Sequence, residues 1–407
     1  MNRVQRGFWT LRYTLINALY FAAFCTIHAM AAVYLLANGF TNTEVGILLA
    51  VANITSALCQ PIIAGIIDKP GWLTNRRFII IAVTIILIGS ASLMFLKENK
   101  VMVFIIYVII YMIQFAYQPV MTALYFEYKK AGCNIFYGLA RGLGSASFAV
   151  TSAIMGRLIE KQGVGILQVI NIITMALSVL VVFTFKKPED AEVEETEKKT
   201  DASGEGAHNN IMDFARTYPA FMIFLLATIC FYFAHNMIND FMIQIIRNLG
   251  GGEKELGYSN FLQAILELPV MALIGIVMKK ISSGKMLILS GTAFFIKILI
   301  LVFATNMAMM YLSQSMQLFA YAVYIPAVAY YVNETMSDSD QVKGQAYVTS
   351  AITIGGVFSN LISGVILDHL GIRIMLITGT AVCAVGVFIA VYALGRRRAS
   401  KATKEKQ

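Results

Sequence analysis

Residues Pro119 to Glu127 read PVMTALYFE and residues Pro326 to Glu334 read PAVAYYVNE, each closing an apolar run with a proline and a glutamate eight positions apart. The two stretches lie 207 residues apart, and the likeness extends on both sides of them. Downstream, Gly156, Glu160 and Gly163 in GRLIEKQG answer to Gly364, Asp368 and Gly371 in GVILDHLG, at an offset of 208. Upstream, Asn38, Glu44 and Gly46 stand after the first apolar run as Asn248, Glu255 and Gly257 stand after the seventh, and Pro61 answers to Pro269. The chain is therefore one unit written twice, in the same order and direction.

Each copy is membrane material. The 407 residues are 58% hydrophobic and 14% charged, with a mean hydropathy of +0.70, and apolar stretches of 18 or more residues recur throughout, which no water-soluble globule carries. Twelve runs are long enough to cross roughly 30 Å of hydrocarbon: 11–37, 44–67, 78–97, 101–126, 138–159, 164–185, 217–246, 255–278, 286–305, 307–332, 343–367 and 372–395. They lack strand alternation, so they are expected as helices, which satisfy their own backbone hydrogen bonds in lipid. The expected fold is an all-α membrane protein of twelve transmembrane helices in two parallel-repeat six-helix bundles. Residues 1–185 form the first bundle, 186–216 a cytoplasmic linker, 217–395 the second bundle and 396–407 a basic tail.

Charge sets the orientation. Lys and Arg in the tails and in the loops after even-numbered runs outnumber those after odd-numbered runs by more than three to one, which puts both termini in the cytoplasm. That asymmetry accounts for the formal net charge of +9 without a nucleic-acid partner. The expected location is the plasma or inner membrane, as a multi-pass protein with the lipid bilayer as its surroundings. The tail, with Arg396, Arg397, Arg398 and Lys401, is a topology anchor that can meet anionic lipid. No small-residue cleavage site follows the first run, so it is expected to stay as a helix. The five cysteines lack metal-type spacing and suit apolar packing. The linker, acidic from Glu189 to Glu197 and rich in small residues from Ala202 to Ala207, reads as a flexible tether.

Six spans per copy bring the second copy into the membrane from the same side as the first, so the repeats are related by an axis along the membrane normal. Two such bundles around a midplane cavity can rock, opening the cavity to each side in turn. This describes a carrier acting as a monomer on a small-molecule substrate. A phosphate loop, metal cluster or nucleophile triad is missing from the loops, so an enzyme is not expected.

The layout resembles the major facilitator superfamily over nearly the whole chain. Its signature between the second and third spans is met loosely by Ala64, Asp68, Lys69, Gly71, Arg76 and Arg77; the resemblance gives Asp68, Arg76 and Arg77 the part of a conformational latch. Within the superfamily the pattern is similar to the oligosaccharide:proton symporter branch, the lactose permease-like and 3-phenylpropionate transporter-like proteins. Tyr137, Gly138, Ala140 and Arg141 match the entry to its fifth span, where the arginine binds the sugar. Glu267 falls on the carboxylate of its eighth span, and Lys297 on a basic residue of its ninth that supports proton release. Other positions depart from the branch: its paired carboxylate falls on Ala123, its proton-site histidine and glutamate on Gln317 and Ala320, and two aspartates on Asn236 and Asn239.

The residues themselves point the same way. A charge near the bilayer centre costs at least about 2.5 to 3.5 kcal/mol, so one kept there faces a cavity or a partner. Glu267 and Lys297 lie deep in runs 8 and 9 and are expected to meet, with Glu267 as proton acceptor, Lys297 as the countercharge that aids release, and Asp240 in reserve. In run 7, His235 with Asn239 and Asn236 with Asp240 share a helix face at one-turn spacing. His28 answers to this stripe by the repeat. Gln114, Tyr117 and Gln118 in run 4 face Gln317, Tyr321 and Tyr324 in run 10. Amides and aromatic faces suit neutral hydroxylated ligands. Substrate contact is thus expected from Arg141, Gln114, Gln118, Asn236, Asn239, Gln317, Tyr321, Tyr324 and His28, whereas Gly138, Gly142, Gly144, Gly355 and Gly356 read as close helix packing. The expected activity is proton-coupled import of a sugar or oligosaccharide, with the proton as coupling ion and no cofactor. Nucleoside or aromatic-acid symport, drug:proton antiport, and a transport-inactive sensor on the same scaffold are the competing readings.

Overall fold

A computed structural model describes residues 3–69, 71–186 and 211–404. Most of the expected linker, Pro70 and the last residues of the tail lie outside the described residues. The first copy is built from α1 (Arg3–Phe24), a π-helical turn (Cys25–Ala29) and α2 (Ala31–Ala37), then α3 (Asn42–Ile67), α4 (Asn75–Phe95), α5 (Lys100–Lys130), α6 (Tyr137–Gln162) and α7 (Ile166–Thr184). A short α8 (Ile211–Thr217) precedes the second copy: α9 (Pro219–Asp240), α10 (Met242–Asn248), α11 (Glu253–Val277), α12 (Ser283–Val302), α13 (Met307–Ser315), a 3-10 turn (Met316–Leu318), α14 (Tyr321–Thr335), α15 (Asp338–His369) and α16 (Gly371–Lys404). Ten helical spans among the described residues are long and apolar enough to cross a membrane, and the bent pair Phe8–Ala29 with Ala31–Ala37 makes an eleventh. The eighth run is α11, whose 25 residues reach about 37 Å at 1.5 Å each.

The repeat is visible as chemistry. Glu127, at the end of α5, accepts a hydrogen bond from Asn75 Nδ2 at the start of α4, at 2.8 Å. Glu334, at the end of α14, accepts from Ser283 Oγ at the start of α12, at 2.5 Å. The two glutamates that opened the comparison thus tie the same pair of spans in each copy, through bonds to a charged acceptor worth about 1.5–3 kcal/mol each. Glu44 accepts from the backbone N–H of Thr41 at 2.8 Å, completing a capping box, and Glu255 accepts from the Gly252 N–H at 2.9 Å. Such carboxylates satisfy orphan donors at a helix start. Gly39 and Gly250, and likewise Gly163 and Gly371, hold φ between 79° and 82°, a conformation that needs glycine.

Helix pairing repeats as well. In the first copy α1 packs on α6 and α7, and α4 on α5 and α7; in the second α9 packs on α15 and α16, and α12 on α14 and α16. The described chain gathers into two units, Met1–Glu195 with Gly251–Ile265, and Thr196–Gly250 with Leu266–Gln407. Unit 1 therefore includes the start of α11. The reason is a close crossing, since a Cβ on Gly156 of α6 would overlap the Glu253 carbonyl and one on Gly257 would overlap that of Ser152. In unit 2, α8 is ordered within the stretch expected as tether, with Phe214 fully buried and its ring 4.9 Å from those of Tyr218 and Tyr347.

Three spans expected as continuous are interrupted. The first bends by 49° after the π-turn that carries His28, the seventh breaks at Phe241 (φ −115°, ψ 22°), and the tenth passes through the 3-10 turn and Ala320 (φ −81°, ψ −96°). No proline or glycine sits at these breaks. Pro61, Pro119, Pro269 and Pro326, which carry the sequence signal for a kink, all lie inside helices. The partner of the tenth span, α5, runs 31 residues without a break. Here the two copies differ most.

Candidate functional site

In unit 2, Glu267 projects from the middle of α11 and Lys297 from α12, and the two are connected by Gln317 from the 3-10 turn. Lys297 Nζ donates to Gln317 Oε1 at 2.8 Å, and Gln317 Nε2 donates to Glu267 Oε1 at 2.9 Å. Lys297 is fully buried and Gln317 nearly so, so the ammonium rests on this contact set, with Glu267 close enough to act on it coulombically. An amide has one accepting and one donating end, and here each end meets the charge it suits. Two further bonds pin the interrupted span to α12: Ser313 Oγ donates to the Lys297 carbonyl and Ser290 Oγ to the Ala320 carbonyl, both at 2.7 Å. The second takes up a carbonyl at the break.

Beside this relay stands an aromatic wall. His235 of α9 stacks on Tyr321 of α14, with centroids 5.2 Å apart and an interplanar angle of 13°, and meets Phe294 edge-on at 5.3 Å. Tyr232 and Tyr324 close the group, their centroids 5.3 Å apart. The expected one-turn pairing appears as a 2.9 Å hydrogen bond between Asn239 Nδ2 and His235 Nε2. Asn236 turns instead to α15, where a Cβ on Gly356 would come 2.7 Å from its Nδ2. Asp240 faces Asn360 of α15. Tyr324 is fully buried and shares a 2.6 Å hydrogen bond with Thr228 Oγ1.

In unit 1, Arg141 lies in the second turn of α6, half-buried, donating to Ser145 Oγ at 2.9 Å with its guanidinium carbon 4.3 Å from the Phe21 ring centre. A Cβ on Gly138 or Gly142 would meet nothing within 4 Å. The packing role expected for these two glycines is therefore not what the structure shows, because the face beside Arg141 is open. Gly144 does pack, against Phe21 and Asn17, as do Gly355 and Gly356 against α9. His28 sits among Phe24, Tyr111 and Phe115, its ring stacked on Phe24 at 3.9 Å. Gln114 is fully buried, with its amide beside His28. Gln118 is half-buried one turn further along α5.

The residues expected as a latch have separate contacts. Arg76 donates to the Val182 and Phe183 carbonyls at 3.1 and 2.9 Å, at the end of α7, where a cation meets the negative end of the helix dipole. Arg77 donates to the Trp72 carbonyl at 2.5 Å, and Asp68 is exposed at the end of α3. Sequence reasoning missed Ser290, Ser313 and Thr228, single hydroxyls in apolar runs that look like packing. Ser313 stands one turn before Gln317, the signal that could have flagged it.

The model of a family described as "MFS_1 like family" matches residues 9–391. No curated protein matches the sequence. Among solved structures, the chain is similar to the nucleoside transporter NupG, with 14% identity, a TM-score of 0.77, and coverage of 95% of this chain and 98% of that one. It is also similar to an autoinhibited POT family peptide transporter (10% identity, TM-score 0.72, 96% and 97% covered) and to a bacterial homolog of the human lysosomal transporter Spinster (14%, 0.67, 97% and 98%). At these identities the likeness speaks for the fold.

Proposed function

The chain belongs to the MFS_1 like family, a secondary transporter of major facilitator type, and from that premise we propose that it is a proton-coupled importer of a small, neutral, hydroxylated solute, with a nucleoside ahead of a sugar. The observation that carries the coupling is the Lys297–Gln317–Glu267 relay. A carboxylate held by an amide, with a buried ammonium behind it, can take up a proton when substrate or a conformational change loosens the contact, and release it when the contact returns. Transport by alternating access, in a cell membrane with both termini cytoplasmic, completes the reading.

The aromatic wall favours a nucleoside. His235, Phe294 and Tyr232 are buried and back the half-buried ring of Tyr321, which on this reading stacks on a planar base, and the half-buried Asn239 adds an amide for base edges or hydroxyls. A sugar or oligosaccharide remains the second reading, supported by the open, half-buried guanidinium of Arg141, whose N–H fork suits hydroxyl or carbonyl oxygens. The test is thermal stabilisation of the purified protein by a panel of nucleosides, mono- and oligosaccharides and aromatic acids. A ligand at a hundred times its Kd adds about 2.7 kcal/mol. A shift confined to aromatic acids would overturn the neutral-solute reading.

A further inference from the structure

Gln317 has a position that substrate contact alone does not explain. It lies in the 3-10 turn between α13 and α14, at the one place where the tenth span departs from its uninterrupted counterpart α5. Ser290, Ser313 and the Lys297–Gln317 bond tie the break to α12, and Gln314 donates to Met242 Sδ of α10 at 3.6 Å. The bond from Gln317 Nε2 to Glu267 runs to α11.

We propose that Gln317 is a positioning residue that ties the break in the tenth span to the ionisation of Glu267, so that protonating Glu267 loosens residues 316–320. The inference rests on the reading of Glu267 as the proton acceptor. The amide is oriented by two charges, accepting from the ammonium and donating to the carboxylate. A proton on Glu267 Oε1 would set donor against donor. A proton on Oε2 leaves a neutral acceptor, whose bond is roughly half as strong as the charge-assisted one. Turning the amide over relieves neither case, because its NH2 would then face the ammonium. The ionisable groups that interact with the pair from packed elements are Tyr232 with Glu267 and His235 with Lys297, both on α9; Tyr321 and Tyr324 of α14 stand behind Tyr232. The tie between α11 and the break therefore weakens when Glu267 is neutral, while the bonds to α12 persist and can act as a pivot.

Hydrogen exchange read by mass spectrometry on the full chain in nanodiscs, between about pH 8 and about pH 5 and corrected for intrinsic rates, tests this. In the parent protein, protection of the amides at 316–321 is expected to fall at least threefold on acidification. Glu267→Gln should hold the low-protection level at both pH values. Gln317→Met, close in volume and without an amide, should do the same although Glu267 is intact, and Gln317→Leu is a second arm should the methionine variant fail to fold. If Glu267→Gln loses the pH response and both Gln317 variants keep it, the role of Gln317 is refuted and Glu267 stands as proton acceptor. If Glu267→Gln keeps the response, or the parent protein shows none, the proton reading and this inference fall together.

Discussion

Lys297→Met is the change whose cost follows most directly from the structure. The ammonium is fully buried and donates to Gln317 at 2.8 Å. Its removal strands the accepting end of that amide and leaves Glu267 without its countercharge. Deleting one member of a buried charged set costs about 3–5 kcal/mol, while replacing both charges with apolar side chains is often neutral or stabilising. Spread over a unit of nearly two hundred residues, that loss corresponds to a fall of roughly 6 to 20 °C in apparent Tm. Lys297→Met alone should show this fall in a thermal scan of the detergent-solubilised protein, read by helix circular dichroism. Lys297→Met combined with Gln317→Met and Glu267→Met, which removes the amide together with both charges, should return to within about 1 kcal/mol of the parent. A triple variant as unstable as the single one would refute the reasoning, because the cost would then lie in packing around Lys297 and not in stranded polar groups.

The repeat makes its own prediction: Asn75→Ala and Ser283→Ala, which release Glu127 and Glu334, should each cost about 1.5–3 kcal/mol in the same scan. A loss in only one copy would contradict the equivalence. Gly156→Ala should loosen the crossing of α6 with the start of α11 by about 1–3 kcal/mol, seen as lower hydrogen-exchange protection of residues 253–258, whereas Gly142→Ala should change nothing there. Arg141→Lys loses the guanidinium fork and its stacking on Phe21. The half-saturating concentration of the panel's best ligand should rise at least tenfold, and unchanged affinity would remove Arg141 from the substrate site.

The sequence showed what costs most to place in a membrane. Glu267 and Lys297 stand out because a charge in an apolar run needs a reason, and the paired Pro–Glu stretches stand out because chemistry repeated at a fixed offset survives inspection. Gln317 was visible as a polar residue but not as a bridge, since an amide reveals nothing about which neighbours its two ends meet. The interruptions at Cys25–Ala29, Phe241 and Met316–Ala320 left no signal, because residues of ordinary helix propensity form them and tertiary packing selects the local conformation. Pro61, Pro119, Pro269 and Pro326 lie within continuous helices, so proline did not mark the breaks. Gly138 and Gly142 were misread for a related reason: a small residue fits a tight crossing and an open face equally well.

Proton coupling rests on Glu267. Full-length protein in proteoliposomes, given an inward proton gradient and a radiolabelled nucleoside chosen from the stabilising panel, should accumulate it above the external concentration. Glu267→Gln should abolish that accumulation while exchange of labelled for unlabelled nucleoside continues. Gradient-driven accumulation by Glu267→Gln at the parent level would contradict the account.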